Sequence, residues 1–266
     1  MARTGITLQH EPVLHRTLEK LGRTAVCFSG GTDSEVLLRA AADTLGTGNI
    51  AAVMALTPFL AERHRVCAEN TAASLGITLH KVQVNLLSCN DILNNTFRRC
   101  YFCKSMIYRS VKLKAAEIGF HFTADGTNLD DSEKERPGLE AAGEQSVLHP
   151  LLNAGMTKRR VRNLGKILGM KDSERPEDSC MATRFPKNKP IEEKMLVLIE
   201  KIEQSTAAAR GRIRAVPEKG TVTLKFETVD LSVINAVSKE LFRLCDTYCT
   251  KLILNNVDSC KKGNLL

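Results

Sequence analysis

Tryptophan is absent from this 266-residue chain, and only 5% of its residues are aromatic. A surface that stacks exposed bases on aromatic rings is therefore disfavoured. No apolar run approaches the roughly 20 residues that cross a bilayer. The first ten residues, Met-Ala-Arg-Thr-Gly-Ile-Thr-Leu-Gln-His, have no apolar stretch of the secretory kind. The expectation is a cytoplasmic protein with no membrane partner. There is no dense basic tract either. The 38 Lys and Arg against 30 Asp and Glu give a net charge of +8, but they are scattered. That balance suits polyanionic partners, and phosphate-bearing small molecules as well as RNA. Internal repeats and low-complexity segments are also missing.

Cysteine is plentiful, at nine residues. With no secretory signal, such a count points to metal, redox or catalytic sulfur rather than to a disulfide framework. The 43% hydrophobic and 26% charged content is that of a globular protein with a real core.

The chain is organised around Val26-Cys27-Phe28-Ser29-Gly30-Gly31-Thr32-Asp33-Ser34. A short apolar run ends in a Gly-rich turn, and a helical pattern with Val36, Leu37 and Ala40 on one side follows at once. Glycines let a backbone approach an anion. Ser29, Thr32 and Ser34 add hydroxyls, and the N–H groups of the first helical turn carry partial positive charge. The spacing is neither Gly-x-x-x-x-Gly-Lys nor Gly-x-Gly-x-x-Gly. It resembles the PP-loop of the ATP pyrophosphatases, which grip the pyrophosphate of ATP while a substrate attacks the α-phosphate.

Strands alternate with helices through the first part of the chain. Strands are expected at 24–28, 50–56, 77–84 and 120–124. Helices are expected over 1–22, 33–45, 60–75 and 103–118. The unbroken apolar run Ile50–Leu56 marks a strand buried on both faces. The fold class is therefore α/β, a parallel sheet with helices on both faces. Ligands in such folds sit beyond the carboxyl ends of the strands, where Ser29–Ser34, Leu56, Asp125, Gly126 and Thr127 fall. The charged stretch 130–138 reads as a loop with Pro137 and Gly138 as turn formers. Thr157 can cap a helix to Leu168. Residues 171–189 carry two prolines, with Pro190 directly after them, and no periodicity, and a long irregular stretch in a compact protein is more often functional than idle. Helices at 191–210 and 231–248, a strand at 221–226 and a short strand at 251–254 form a smaller α/β domain. The domains are placed at 1–170 and 171–266.

Cys100 and Cys103 form a Cys-x-x-Cys at a helix start, and Cys180 lies in the irregular segment. Arg98, Arg99 and Lys104 beside the pair favour thiolates. A closed zinc site would want a fourth ligand. Three thiolates suit an iron–sulfur cluster with one iron left open. Cys27 reads as core, Cys67 and Cys89 have no partner in motif spacing, and Cys245, Cys249 and Cys260 read as core packing.

These residues together resemble the LarE family of ATP-dependent sulfur transferases. The resemblance runs from about Val26 to the C-terminus. It rests on Ser29–Ser34, Arg99-Cys100-x-x-Cys103-Lys104, Asp125-Gly126-Thr127-Asn128-x-Asp130-Asp131 and Arg136-Pro137-Gly138. Further on it includes His149-Pro150-Leu151, Thr157-Lys158-x-x-Val161-Arg162, Cys180–Pro186 and Arg212-Ile213-Arg214. It implies a PP-loop domain, a smaller C-terminal domain and a homo-oligomer, in the family a hexamer. It also implies ATP and Mg²⁺, with the substrate a pyridinium biscarboxylate mononucleotide whose carboxylates are thiolated on the way to the nickel-pincer nucleotide. Asp33, with Ser29, Gly30, Gly31, Thr32 and Ser34, would serve the nucleotide, as would Leu56, Asp125–Thr127 and Arg184. Helix capping is the alternative for Asp33. Arg184, Arg212 and Arg214 would hold the substrate phosphate. Glu203 and Asp230 are candidates for a further metal contact.

Two branches of that family differ in sulfur source. One gives up the sulfur of a cysteine in the position of Cys180. The other delivers an added sulfide from a 4Fe–4S cluster on three cysteines, which Cys100, Cys103 and Cys180 match. A PP-loop tRNA thiolase is the rival within enzymes, and a non-catalytic iron–sulfur sensor the rival outside them. The want of an RNA-binding module weighs against the first, and the intact PP-loop against the second.

Overall fold

The computed structural model describes residues 11–132, 137–175, 178–209, 212–227 and 229–257, with the side chains of Ser132 and Arg212 left aside. Residues 1–10 of the expected first helix, Glu133–Arg136, Arg210 and Cys260 lie outside the described residues.

In chain order the elements are α1 (Pro12–Leu21), β1 (Thr24–Cys27), α2 (Thr32–Leu45), β2 (Ile50–Leu56), α3 (Glu62–Leu75) and β3 (Leu79–Gln83). Then come α4 (Asn90–Leu93), α5 (Arg99–Glu117), β4 (Phe122–Ala124), α6 (Leu129–Ser132), α7 (Pro137–Glu144), α8 (Pro150–Asn153) and α9 (Lys158–Ile167). The last are α10 (Glu193–Ser205), β5 (Arg212–Glu218), β6 (Thr221–Glu227), α11 (Leu231–Thr247) and β7 (Lys251–Asn256). Among the described residues no helix is long and apolar enough to cross a membrane.

The chain divides into two compact units. The first holds residues 1–89 and 98–178, the second 90–97 and 179–266. In the first, four strands lie in the order β3-β2-β1-β4, every pair parallel. Parallel neighbours need crossovers, and the helices between strands supply them on both faces. β2 shows why its sequence is apolar throughout. Ile50, Ala52 and Met54 point into the layer built by Leu14, Leu18, Val36, Leu37 and Leu164. Ala51 and Val53 point the other way, onto Val111 and Ala115 of α5. A strand with a period of two and a core on each side has no polar position. Each fully buried Leu, Val or Met there contributes about 1.5–3 kcal/mol of transfer free energy.

The helix ends follow local chemistry. α3 stops at Gly76, which takes the left-handed conformation at φ 66°. α9 starts at Thr157, whose side chain accepts from Arg160 N at 3.4 Å. The expected loop over 130–138 is a correction: α6 and α7 occupy much of it. Pro137 heads α7 rather than making a turn, because its missing N–H costs nothing in a first helical turn. Ala141 and Ala142 of that helix are buried.

In the second unit β5 pairs antiparallel with β6, and β6 parallel with β7. α10 and α11 pack on each other, α10 lies on β5, and α11 lies on β7. Leu198, Ile199, Ile202, Val222, Leu224 and Leu241 are among its buried apolar residues. Residues 90–97 belong here through Asn95, which is fully buried. Its Nδ2 donates to Phe185 O at 3.1 Å and Pro186 O at 2.7 Å, and its carbonyl accepts from Asn188 N at 3.0 Å. Ile191 N donates to Leu93 O at 2.7 Å.

Candidate phosphate loop and cysteine sites

β1 delivers the chain to Ser29 at its carboxyl end, and α2 begins at Thr32. The turn between is closed by hydroxyls. Ser34 Oγ donates to Gly31 O at 2.9 Å and lies 3.1 Å from Ser29 Oγ. Gly30 has φ 74°, and a Cβ there would sit 2.1 Å from His64 O. Both the backbone conformation and the space require glycine. Gly31 is the N-cap position, so capping is not the role of Asp33. Asp33 Oδ2 instead accepts from Lys158 Nζ at 2.5 Å. The first turn of α2 presents its N–H groups and positive dipole end to the mouth of the loop.

A cavity of about 490 Å³ opens at the carboxyl ends of β2 and β3, lined among others by Leu56, Thr57, Pro58, Gln83, Val84 and Asn85. It holds the expected Leu56, whose carbonyl accepts from Val84 N at 3.0 Å. Glu62 and Arg65 also line it, so the wall is part apolar, part amide and part charged.

At the end of β4 a buried carboxylate anchors a small network. Asp125 Oδ1 accepts from His149 Nδ1 at 2.7 Å and from Thr127 N at 3.0 Å, and Oδ2 accepts from Tyr108 Oη at 2.5 Å. Lys104 Nζ stands 5.0 Å from the centre of the Tyr108 ring. Burial pushes the Asp125 carboxyl up, but the His149 bond, the Lys104 charge and the Tyr108 hydroxyl outweigh it and hold it well below the usual carboxylate range. Burial, and then the Asp125 charge, push the neighbouring Cys27 thiol up. Gly126 lets this network reach the phosphate loop, since a Cβ there would meet Ser34 N at 2.6 Å.

Sequence reasoning did not find Arg175. It comes from the irregular stretch that was expected to be functional, and its guanidinium enters the loop. Nε donates to Thr32 Oγ1 at 3.0 Å, and Nη2 donates to Gly30 O and to Glu35 Oε2, each at 3.1 Å. Lys158 and His149 were quoted only as pieces of a motif. Their positions beside Asp33 and Asp125 follow from the fold.

Cys100 and Cys103 lie on the first turns of α5, three residues apart and so on one face. Both are partly buried, and Arg99 Nη2 donates to Cys100 Sγ at 3.3 Å. Cys180 belongs to the second unit and is exposed. Within neither unit taken alone do three His, Cys, Asp or Glu side chains among the described residues form a metal-holding group.

Cys180 opens a short 3-10 turn, Met181–Arg184. Its carbonyl accepts from Thr183 N at 2.9 Å and Thr183 Oγ1 at 2.8 Å. Arg184 lies beneath, and the structure gives it a different use from the expected phosphate or nucleotide contact. Its side chain is 1% exposed. Nε and Nη2 donate to the two carboxylate oxygens of Glu203, each at 2.9 Å, and Nη1 donates to Ser179 O at 2.7 Å. Glu203 Oε1 also accepts from Ala215 N at 3.1 Å. These contacts lock the Cys180 turn onto α10 and β5. Arg214 Nη2 donates to Ser179 Oγ at 3.1 Å. Arg212 is two residues away on the same strand, and its side chain lies outside the described residues. Asp230 caps α11, accepting from Ser232 N at 2.9 Å.

No family model matches the chain. It is 32% identical to an uncharacterised protein of Synechocystis over 255 residues, 95% of each chain. It is 27% identical to an uncharacterised protein of Methanocaldococcus jannaschii over 237 residues, 88% of each chain. Over 169 residues, 64% of this chain and 61% of the relative, it is 33% identical to the pyridinium-3,5-bisthiocarboxylic acid mononucleotide synthase of Lactiplantibacillus plantarum. The chain is thus similar to that synthase over part of its length, and it combines a parallel α/β sheet carrying Ser-Gly-Gly-Thr-Asp-Ser at the end of its first strand with a small mixed sheet in a second unit.

Proposed function

We propose that this chain is an ATP-dependent sulfurtransferase that thiolates the carboxylates of a pyridinium-3,5-biscarboxylic acid mononucleotide. The observation that carries this reading is the loop Ser29–Ser34, built as an anion cradle in a chain 33% identical to a synthase of the corresponding bisthiocarboxylate. A carboxylate is a poor acceptor for sulfur, because oxide would have to leave. Attack of one carboxylate oxygen on the α-phosphorus of ATP expels pyrophosphate and leaves an acyl-adenylate. A sulfur nucleophile then attacks the carbonyl carbon and AMP departs. The loop serves the step in which charge builds on the leaving pyrophosphate. Ser29, Thr32 and Ser34 supply hydroxyls, Gly30 and Gly31 allow close approach, and the α2 dipole favours the anion. The cavity at Leu56 takes the nucleoside, and Asp125–Thr127 closes the site from β4. Mg²⁺ would be held on the phosphates by Asp33, whose carboxylate already meets one cation, Lys158.

Arg212 and Arg214, two residues apart in sequence, are proposed for the substrate phosphate. Arg184 is proposed as the residue that fixes the Cys180 turn. The paired thiols of Cys100 and Cys103 beside the Arg99 guanidinium, with the exposed thiol of Cys180, are a donor set of the iron–sulfur kind. A 4Fe–4S cluster on these three would supply the sulfide. A homo-oligomer is part of the proposal.

The test is anaerobic purification with iron and sulfide counts on wild type and Cys100→Ser. The expected wild type is brown and the variant colourless. A colourless wild type that transfers sulfur and leaves dehydroalanine at Cys180 moves the chain to the sacrificial branch.

A further inference from the structure

The phosphate loop is not held in shape by its own residues alone. Arg175 reaches it from 145 positions away in sequence. The Arg175 side chain is 24% exposed and carries four hydrogen bonds, to Gly30 O, Thr32 Oγ1, Glu35 Oε2 and, from Nη1 at 3.0 Å, Cys67 Sγ. Each of the first three has a consequence for an anion in the loop.

In a trans peptide the carbonyl and the next N–H point in opposite directions. The bond to Gly30 O therefore also sets Gly31 N–H, which rests 3.4 Å from Ser29 Oγ. The bond to Thr32 Oγ1 occupies a lone pair of that hydroxyl. Its proton is left to donate to an oxygen ligand. Glu35 raises the third point. A carboxylate with a side chain 7% exposed, in the first turn of an anion-binding helix, repels the charge the loop is meant to hold. Arg39 Nη2 meets Glu35 Oε1 at 2.9 Å and Arg175 Nη2 meets Oε2 at 3.1 Å, so each oxygen has its own cation.

We infer that Arg175 is a positioning residue that pre-shapes the loop for pyrophosphate and cancels the charge of Glu35. The inference rests on the phosphate-loop reading of Ser29–Ser34. Arg175 acts through the loop and not on the adenosine pocket, because its contacts are to Gly30, Thr32, Glu35 and Cys67 and none is to the residues around Leu56.

The test measures binding of Mg²⁺-pyrophosphate and, separately, of adenosine to the full chain by calorimetry. The proteins are wild type, Arg175→Gln, Arg175→Lys and Arg175→Gln/Glu35→Gln. Arg175→Gln is expected to weaken pyrophosphate by about tenfold or more while adenosine changes by less than about twofold. Arg175→Lys keeps the charge without the fork and is expected between the two. The double variant is expected to regain most of the lost pyrophosphate affinity, an effect that general damage to the fold would not give. Pyrophosphate affinity in Arg175→Gln equal to wild type overturns the role of Arg175. So does a matching loss for adenosine with no recovery in the double variant. Wild type that binds no pyrophosphate sinks the phosphate-loop reading, and the Arg175 role with it.

Discussion

Arg184 and Glu203 face each other as a two-pronged pair, with both contacts at 2.9 Å and side chains only 1% and 3% exposed. A buried pair of this kind costs little when whole and much when halved. Removing one partner leaves a charge out of water with nothing opposite it. Glu203→Ala is expected to destabilise the protein by about 3–5 kcal/mol. Replacing both with apolar residues of similar size is expected to cost much less than the sum of the two single changes. Urea unfolding of the four proteins checks this. Additive losses would mean the pair is not a unit.

Asn95 is expected to matter for the same unit, although it lies well before it in sequence. It satisfies the carbonyls of Phe185 and Pro186 from a fully buried position at φ 52°. Asn95→Ala removes the side-chain donor from Phe185 O, leaves Pro186 O with the 3.3 Å bond from Lys189 N, and puts alanine in the left-handed region. A loss of about 1–3 kcal/mol is expected from the unsatisfied group alone. The change should also raise hydrogen exchange across residues 185–191. Unchanged exchange there would show that the excursion is not held by this side chain.

Much of this arrangement is legible in the sequence, for identifiable reasons. β2 declares itself because both its faces are buried, so no polar residue interrupts Ile50–Leu56. The turn after β1 declares itself because Gly30 must adopt a positive φ against His64, a local demand with a local signature. Arg184 carries no such sign. One more arginine beside a cysteine reads as a ligand contact, and only the fold shows its partner on α10. Arg175 and Asn95 are harder still, since each acts on residues 90 or more positions away. α7 was misread because Pro137 and Gly138 look like a turn until Pro137 is seen in the first helical position.

Acid stability should depend on Asp125. Its folded carboxyl titrates below its ordinary value of about 3.9, so the unfolded chain takes up the proton first. The stability it contributes is complete above that ordinary value and is lost as pH falls further toward the folded one, at up to about 1.4 kcal/mol per pH unit. The difference in unfolding free energy between wild type and Asp125→Asn is therefore expected to shrink as pH falls below about 4. A difference that holds steady down to pH 3 would contradict the network around Asp125.

Thiol reactivity should sort the cysteines. Cys180 and Cys249 are exposed, whereas burial raises Cys27 and lifts Cys245 to about 11. Since the thiolate is the nucleophile, brief treatment of metal-free protein with iodoacetamide at pH 8 is expected to label Cys180 and Cys249 first. Cys27 and Cys245 are expected to remain unlabelled. Peptide mapping by mass spectrometry reads the order, and early labelling of Cys27 would contradict its placement.

The central claim is that this chain spends ATP by adenylating a carboxylate of a pyridinium mononucleotide. Pyrophosphate release from ATP, followed with and without pyridinium-3,5-biscarboxylic acid mononucleotide and with tRNA in its place, tests it most directly. Release of pyrophosphate with AMP, only when the mononucleotide is present and abolished in Gly30→Ala, is the expected result. Release that ignores the mononucleotide, or that answers to tRNA, would contradict it.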